Sequence, residues 1–135
     1  MNYWLIKSEP STYSIDNLKK EKQTFWSGVR NYAARNNMQA MKKGDICLFY
    51  HSVVDPGVVG LAKVVKEAYQ DPTTDEVAWV VVDVAFMKKF KTTVPLAQIK
   101  LDKELANMDL LRLSRLSVQS VKKDEYDHIL KLAGE

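Results

Sequence analysis

The 135-residue sequence contains a single cysteine, only two histidines and no long apolar run. One cysteine cannot form an internal disulfide bond, which is typical of proteins in a reducing compartment. The apolar runs are far shorter than the ~20 residues that cross a bilayer, and the first residues lack the basic start and long apolar core of a signal peptide. We therefore expect a cytoplasmic protein, or a nuclear one in a eukaryote.

The scarcity of histidine and cysteine also removes the common catalytic and metal-binding patterns. Cys47 and His51 are four residues apart on a predicted strand, so roughly 13 Å separates them, too far for a nucleophile and its base. The other histidine, His128, lies in a charged helix and is expected to be solvated, which leaves no metal-ligand spacing. The segment 57–60 lacks the helix start that a phosphate-binding glycine loop requires. The sequence thus predicts no enzyme, no metal ion and no cofactor.

The charge balance excludes a strongly basic nucleic-acid-binding protein. The formal net charge is only +3, a weak preference for polyanions. Only four of the twenty basic residues are arginine, and they lie in two places, at positions 30 and 35 and at positions 112 and 115. Arginine offers a planar, stackable fork that lysine lacks, so both places are candidate binding segments, with chance as the alternative. The lysines at 88, 89 and 91 are expected to contact phosphates without reading sequence.

The order of predicted elements favours a single α+β domain over residues 1–135. Length and composition are those of one soluble globular domain. Strands and helices alternate without regular βαβ units, which favours the α+β class. Strands are predicted at 2–7, 46–51, 58–67, 77–86 and 114–120, with 87–91 as a basic edge strand or loop, and helices at 15–21, 32–41, 95–99, 103–108 and 124–132.

Residues 25–37 are the most unusual stretch, because aromatic residues alternate there with two arginines, three asparagines and a glycine. Aromatic faces and planar hydrogen-bonding groups are what a protein needs to hold a flat, polar-edged ligand such as a nucleobase. The alternative is the start of a helix in which Trp26 and Tyr32 belong to the core and the polar residues are caps. The stretch alone supports both interpretations equally.

Six motifs follow one another through the chain: YWLIKSEP (3–10), WSGVRNYAARN (26–36), MKKGD (41–45), FYHS (49–52), PGVVG (56–60) and SRLSVQ (114–119). In this order, and over essentially the whole chain, the series resembles the EVE-domain family of the PUA-like superfamily. The resemblance implies a twisted, mostly antiparallel β-barrel-like sheet surrounded by short helices. It also implies a pocket that receives a modified base, extruded from DNA or RNA.

The matching motif positions place nine residues around the implied pocket: Trp26, Ser27, Arg30, Asn31, Tyr50, His51, Ser52, Arg115 and Ser117. Each has a purely structural alternative. Trp26 could be a core residue, Asn31 a helix cap, and Arg115 the partner of a surface carboxylate. The joint occurrence of the nine residues in motif order favours the pocket.

The chain departs from the family pattern at the start of the last helix, where Lys122-Lys123 replaces the usual Thr-Pro, and in two places that bear on the pocket. Ser27 stands where an acidic residue is common in relatives, which removes a charge from the implied pocket. The segment 69–79 is shorter than in many relatives, which removes any ligand contact that a longer loop makes.

We expect a non-enzymatic module that recognises a modified base in DNA or RNA. One alternative is an enzyme acting on a nucleobase or nucleotide, for which Asp45 and Glu9 are the acidic candidates. The other alternative is an accessory interaction protein whose pocket is filled by its own side chains.

Overall fold

The computed structural model describes residues 1–135 and is built on one six-stranded sheet. The strands are β1 (Tyr3–Ser8), β2 (Gln23–Phe25), β3 (Ile46–His51), β4 (Gly57–Gln70), β5 (Val80–Pro95) and β6 (Val118–Val121). The helices are α1 (Ile15–Glu21), α2 (Tyr32–Ala40), α3 (Leu96–Leu101), α4 (Asp109–Arg112) and α5 (Lys123–Leu132), with a 3-10 turn at Lys103–Leu105. None of the helices has the length and hydropathy of a membrane-spanning helix. The predicted α+β class is confirmed.

The sheet has the strand order β2-β5-β4-β3-β1-β6. Four of the five strand pairs are antiparallel, and only β1 and β3 run parallel. Their register places Tyr3 opposite Ile46 and Ser8 opposite His51, so both strands end at the same edge of the sheet. The sheet is twisted and mostly antiparallel, as expected, and it is not closed into a barrel.

Alternating side chains divide the core into two clusters, one on each face of the sheet. On β3, Cys47 and Phe49 belong to the first cluster, whereas Leu48 and Tyr50 belong to the second. Residues of α1 and α2 complete the first cluster, and residues of α3, α4 and α5 complete the second. Cys47 is fully buried, and this burial raises the pKa of its thiol, so the cysteine is a small apolar core residue.

The helices α1 and α2 begin where their capping residues predict. The Ser14 hydroxyl accepts the N–H of Asn17 at 3.1 Å, and the Asn17 side chain accepts the N–H of Ser14 at 2.8 Å. This reciprocal pair satisfies two donors that a helix start leaves free. The Asn31 side chain accepts the N–H of Ala34 at 3.0 Å and so caps α2. The predicted apolar stripe of α2 is fully buried at Ala34, Met38 and Met41.

The prediction was wrong about the length of β5, and the segment 87–91, predicted as a basic edge strand or loop, is a strand. The strand begins three residues later than predicted and continues to Pro95, so the basic segment is part of it. Lys88 forms an ion pair with Glu135, and Lys89 forms one with Asp16 at 2.8 Å. Lysines at exposed positions interrupted the apolar pattern without interrupting the strand.

The backbones of the paired strands β4 and β5 approach each other very closely at Gly60, as the glycine within the predicted strand indicated. A Cβ atom at this position would collide with the backbone oxygen of Lys88 and touch the Ile15 side chain. The register of the pair shifts at four points, one of them next to Gly60. These irregularities bend the two long strands, because each one displaces the hydrogen-bond ladder.

Two smaller strands also differ from the prediction, and the predicted helix 103–108 is only the 3-10 turn Lys103–Leu105. The strand β2 was missed, because three residues are too few to show an alternating pattern. The strand β6 includes only residues 118–121, so residues 114–117 form a loop and not the first half of a strand.

Candidate functional site

A cavity of about 380 Å³ opens between the end of β1, the strand β2 and the segment that leads into α2. Its volume is within the range of small-molecule sites. We call it the main cavity because it holds more of the predicted site residues than any other cavity, not because of its size. It is lined by Lys7, Ser8, Thr12, Tyr13, Thr24, Phe25, Trp26, Ser27, Gly28, Val29, Arg30 and Ser117. Its lining contains no Asp, Glu or His.

Trp26 forms an aromatic wall of the main cavity and is also part of the first core cluster. Its side chain is only 8% exposed. The indole lies edge-on to Tyr13 and to Phe49, with ring centroids 6.1 and 5.5 Å away. The core interpretation and the pocket interpretation of Trp26 are therefore compatible.

Two further aromatic residues, which the sequence did not assign to the site, complete this wall. Phe25 is 42% exposed at the rim, on the edge strand β2. Tyr13 donates its hydroxyl to the Glu21 carboxylate at 2.6 Å. Burial, and then this hydrogen bond, raise the pKa of Tyr13 to about 12, so the phenol stays neutral at physiological pH. Phe25 stands next to Trp26 in the aromatic stretch, a signal that could have identified it.

Arg30 is held at the main cavity by Asp71. The guanidinium donates to the Asp71 carboxylate at 3.0 Å and lies 5.6 Å from the centroid of the Trp79 ring. Asp71 is fully buried and also accepts the N–H and the hydroxyl of Thr73. Burial raises the pKa of Asp71, but hydrogen bonds from Thr73 and Arg30 outweigh it, and the net pKa is below the ordinary value. The short segment 69–79 thus positions a cavity residue.

The first turn of α2 is braced by the same segment. The Tyr32 ring is 5.0 Å from that of Trp79, and the Arg35 guanidinium is 4.9 Å from the Tyr32 ring. Arg35 also donates to the Ala78 backbone oxygen at 3.1 Å. Sequence reasoning missed Asp71 and Trp79 as supports because their partners are about forty residues away along the chain.

The structure brings four of the nine predicted site residues together in the main cavity: Trp26, Ser27, Arg30 and Ser117. Asn31 and Arg115 line an adjoining second cavity of about 390 Å³. Tyr50 lines a third cavity, also of about 390 Å³, with Lys7 and Lys100. Ser52 donates its backbone N–H to Ser8 at 3.0 Å and lines none of the three. Asn31 also serves as a helix cap.

His51 lies outside the main cavity, where it lines a larger cavity of about 670 Å³ and supports the start of α1. Its Nε2 accepts the N–H of Ile15, the first residue of α1, at 3.0 Å. This contact requires a neutral ring that carries its proton on Nδ1. Burial lowers the pKa of His51 below 6.5; Asp16 acts in the opposite direction, and Lys89 lowers the pKa further.

We expect this histidine to make the protein less stable in acid. Because the folded-state pKa is below the unfolded value, the contribution of His51 is complete above pH 6.5 and is lost as the pH falls through the folded-state pKa. Urea unfolding between about pH 5 and 8 should show a free energy of unfolding that decreases as the pH is lowered. His51→Gln should flatten this dependence. Equal pH dependence in the variant and the wild type would refute the role of the Ile15 contact.

One group outside the main cavity brings three potential metal-ligating side chains close together. His128 places its ring nitrogens 2.7 Å from Asp102 and 2.7 Å from Glu104, and one atom of each residue lies within 4.8 Å of the others. The predicted solvation of His128 was wrong, since its side chain is 17% exposed. The 3-10 turn brings two carboxylates to α5, which the sequence pattern did not reveal. These three side chains are the group that could hold a metal ion, and none of them lines the main cavity.

The two acidic candidates for catalysis lie elsewhere. Asp45 is buried and accepts hydrogen bonds from the Trp4 indole at 3.0 Å and from two backbone N–H groups. Its neighbour Ile46 pairs with Tyr3, at the opposite end of β1 from Ser8. Glu9 is exposed and does not line the main cavity. Asp45 thus has a structural role, and neither carboxylate faces the site.

Comparison with known proteins identifies the family. A family model described as the EVE domain matches residues 2–132. Thymocyte nuclear protein 1 of Mus musculus is 41% identical over 97% of this chain and 73% of its own length. A hypothetical protein from Leishmania major is 46% identical, with a TM-score of 0.94, over 99% of this chain and 95% of that one.

A second solved structure, human THYN1 in complex with 5-methylcytosine-containing DNA, is 37% identical, with a TM-score of 0.91. The match covers 100% of this chain and 99% of that one. The family resemblance of the six sequence motifs is thereby confirmed, and the chain belongs to the EVE-domain family.

Proposed function

We propose that this protein binds a modified base of DNA in the main cavity, with the base extruded from its stack, and catalyses no reaction. The observation that carries the proposal is the lining of the cavity: the aromatic rings of Trp26, Tyr13 and Phe25 stand beside hydroxyl groups and Arg30. Every base presents a π-face to an aromatic wall and polar atoms along its edge. The DNA complex of the human relative supports DNA as the ligand class.

The polar groups of the main cavity suit the recognition of a base edge. The hydroxyls of Thr12, Ser27 and Ser117 form no hydrogen bond within the chain, so they are free to contact a ligand. A hydroxyl can donate as well as accept, and it therefore suits base edges of either kind. The two serines come from separate segments, before α2 and before β6, so they contribute to the cavity from different parts of the chain.

Binding without catalysis is supported by the titratable groups of the main cavity. They are Lys7, Tyr13 and Arg30, and there is no carboxylate or imidazole among them. Burial lowers the pKa of Lys7, whose ammonium donates to a backbone oxygen at 2.6 Å. Proton transfer to or from a base would require a positioned acid or base with a pKa near neutrality. The open volume of about 380 Å³ argues against a pocket filled by its own side chains.

The test compares oligonucleotides that differ at one position. Fluorescence anisotropy should be measured for matched single- and double-stranded DNA probes with cytosine or 5-methylcytosine, together with RNA probes of the same sequence. We expect tighter binding to the methylated DNA. Equal affinity for methylated and unmethylated probes would refute recognition of this modification.

Phe25→Ala should weaken binding to the methylated probe by about 1–3 kcal/mol, the range for stacking of a base on an aromatic side chain. The free energy of unfolding of this variant should change little, because Phe25 is 42% exposed on an edge strand. The matched control is Leu101→Ala, an exposed apolar truncation at the end of α3 that should leave the affinity unchanged. If the two variants bind the methylated probe equally well, Phe25 does not contact the base.

A further inference from the structure

Arg115 is the one arginine of the chain that has neither a hydrogen bond nor an ion pair within the protein. Arg30 pairs with Asp71, and Arg112 pairs with Asp109. Arg35 is bonded to a neighbouring side chain and to a backbone oxygen. Arg115 is exposed, in the loop that precedes β6. A free guanidinium next to a ligand cavity is available to an anionic partner.

The backbone of the loop that carries Arg115, residues 113–117, accepts hydrogen bonds from two side chains outside the loop. The fully buried Gln119 donates its amide N–H groups to the backbone oxygens of Leu113 at 3.2 Å and Leu116 at 2.8 Å. Lys7 donates its ammonium to the backbone oxygen of Ser114 at 2.6 Å. These contacts fix the backbone on both sides of Arg115, so a partner that binds its guanidinium orders only one side chain. We name residues 113–117 the basic loop.

The basic loop borders three connected cavities. Ser117 lines the main cavity, Arg115 the second, and Ser114 both the second and the third. Lys7 joins the main cavity to the third, where the exposed Lys100 also lies. The three cavities therefore form one continuous surface around the loop.

This surface carries cations and no acidic residue. None of the residues that line the three cavities is Asp or Glu, although the chain contains 17 acidic residues. The one carboxylate bound to its cations is Asp71, behind Arg30. By contrast, a cavity beside α5 is lined by Glu104, Asp124 and Asp127. A small net charge is thus unevenly distributed, because the side chains that line these three cavities include four cations and no carboxylate.

We propose that the basic loop and Lys100 contact the phosphates of the DNA strand whose base enters the main cavity; this rests on the proposed function. Arg115 binds the backbone beside the cavity, and Lys100 binds it further along the same surface. Both are exposed cations without a carboxylate partner in the chain. Such contacts hold the strand in register and carry no sequence information. Lys88 and Lys89, by contrast, are neutralised by Glu135 and Asp16.

The experiment measures the dependence of affinity on salt for Arg115→Gln, Lys100→Gln and the control Lys63→Gln. Lys63 is an exposed lysine without a carboxylate partner. It lies at the other end of the sheet, opposite Ile46 in the β4–β3 ladder. The affinity for methylated and unmethylated DNA is measured from about 50 to 300 mM salt, a range in which phosphate contacts change binding strongly. We expect the wild-type slope to correspond to about two to five phosphates.

Each of the two site variants should reduce the magnitude of this slope by about one phosphate equivalent. At 0.1 M salt each variant should weaken binding about eightfold. One phosphate contact contributes about −0.9 to the slope of log K against log [salt], which amounts to about eightfold in affinity at 0.1 M relative to 1 M salt. The loss should be equal for methylated and unmethylated probes. Arg115→Lys should restore most of the slope, since a lysine also neutralises a phosphate as a point charge.

An unchanged slope in Arg115→Gln and Lys100→Gln, or an equal loss in Lys63→Gln, would overturn the proposal. A loss confined to the methylated probe would also overturn it, because that result assigns Arg115 to base recognition. If the wild type binds both probes equally, recognition of methylcytosine fails as the function. The slopes of the variants still decide whether the basic loop contacts phosphates.

Discussion

Replacing Trp26 by alanine is expected to lower the free energy of unfolding by about 3–5 kcal/mol, the range for truncating a buried aromatic residue. The indole is 8% exposed and packs edge-on against Tyr13 and Phe49, so its loss leaves a void in the first core cluster. The remaining folded protein should bind methylated DNA much more weakly, because the indole is also a wall of the main cavity. Urea unfolding and anisotropy, corrected for the folded fraction, measure the two effects.

The matched control for this prediction is Trp4→Ala. Trp4 is 5% exposed and belongs to the same core cluster, but it lies at the far end of β1, where its indole donates to Asp45 at 3.0 Å. We expect a similar loss of stability and unchanged affinity per folded molecule. If Trp26→Ala retains wild-type affinity per folded molecule, the indole is only a core residue, and the base-binding proposal loses its central wall.

Replacing Asp71 by alanine is expected to lower the free energy of unfolding by about 3 kcal/mol, because hydrogen bonds to charged groups contribute about 1.5–3 kcal/mol and several are lost here. The change removes the acceptor of the Thr73 N–H and hydroxyl and of the Arg30 guanidinium. Affinity for DNA should fall as well, since Arg30 is no longer held at the main cavity. Asp71→Asn should cost less stability, because its amide oxygen still accepts from Thr73.

Asp45→Ala is the control that separates a loss of stability from a loss of the positioning of Arg30. Asp45 is a buried carboxylate that accepts three hydrogen bonds, from Trp4, Asn2 and Lys42, at the other end of the sheet. Its removal should destabilise the protein by a similar amount without changing the affinity of the folded molecule. If the Asp71 and Asp45 variants bind DNA equally well per folded molecule, Asp71 does not position the site.

Several elements follow directly from local sequence. Ser14 and Asn31 begin α1 and α2 because their side chains bond backbone groups three residues away. The α2 stripe is buried because its residues recur at the helical period. The strand β3 is apolar on both faces, and the structure places it in the interior of the sheet with a core on each side. These interactions span a few residues, so the chain order specifies them.

The sequence by itself therefore determined the α+β class, the family and the aromatic segment that lines the main cavity. Tertiary structure decided which predicted site residues meet. Arg30 depends on Asp71, and the basic loop depends on Lys7, more than a hundred residues before it. Tyr50 lines a different cavity, because adjacent strand residues face opposite sides of the sheet and Tyr50 belongs to the second core cluster. His51 lies on the same face as Phe49, but its ring is bound to the start of α1. Contacts between distant segments depend on strand register and on the register shifts between β4 and β5. No local sequence pattern encodes either feature.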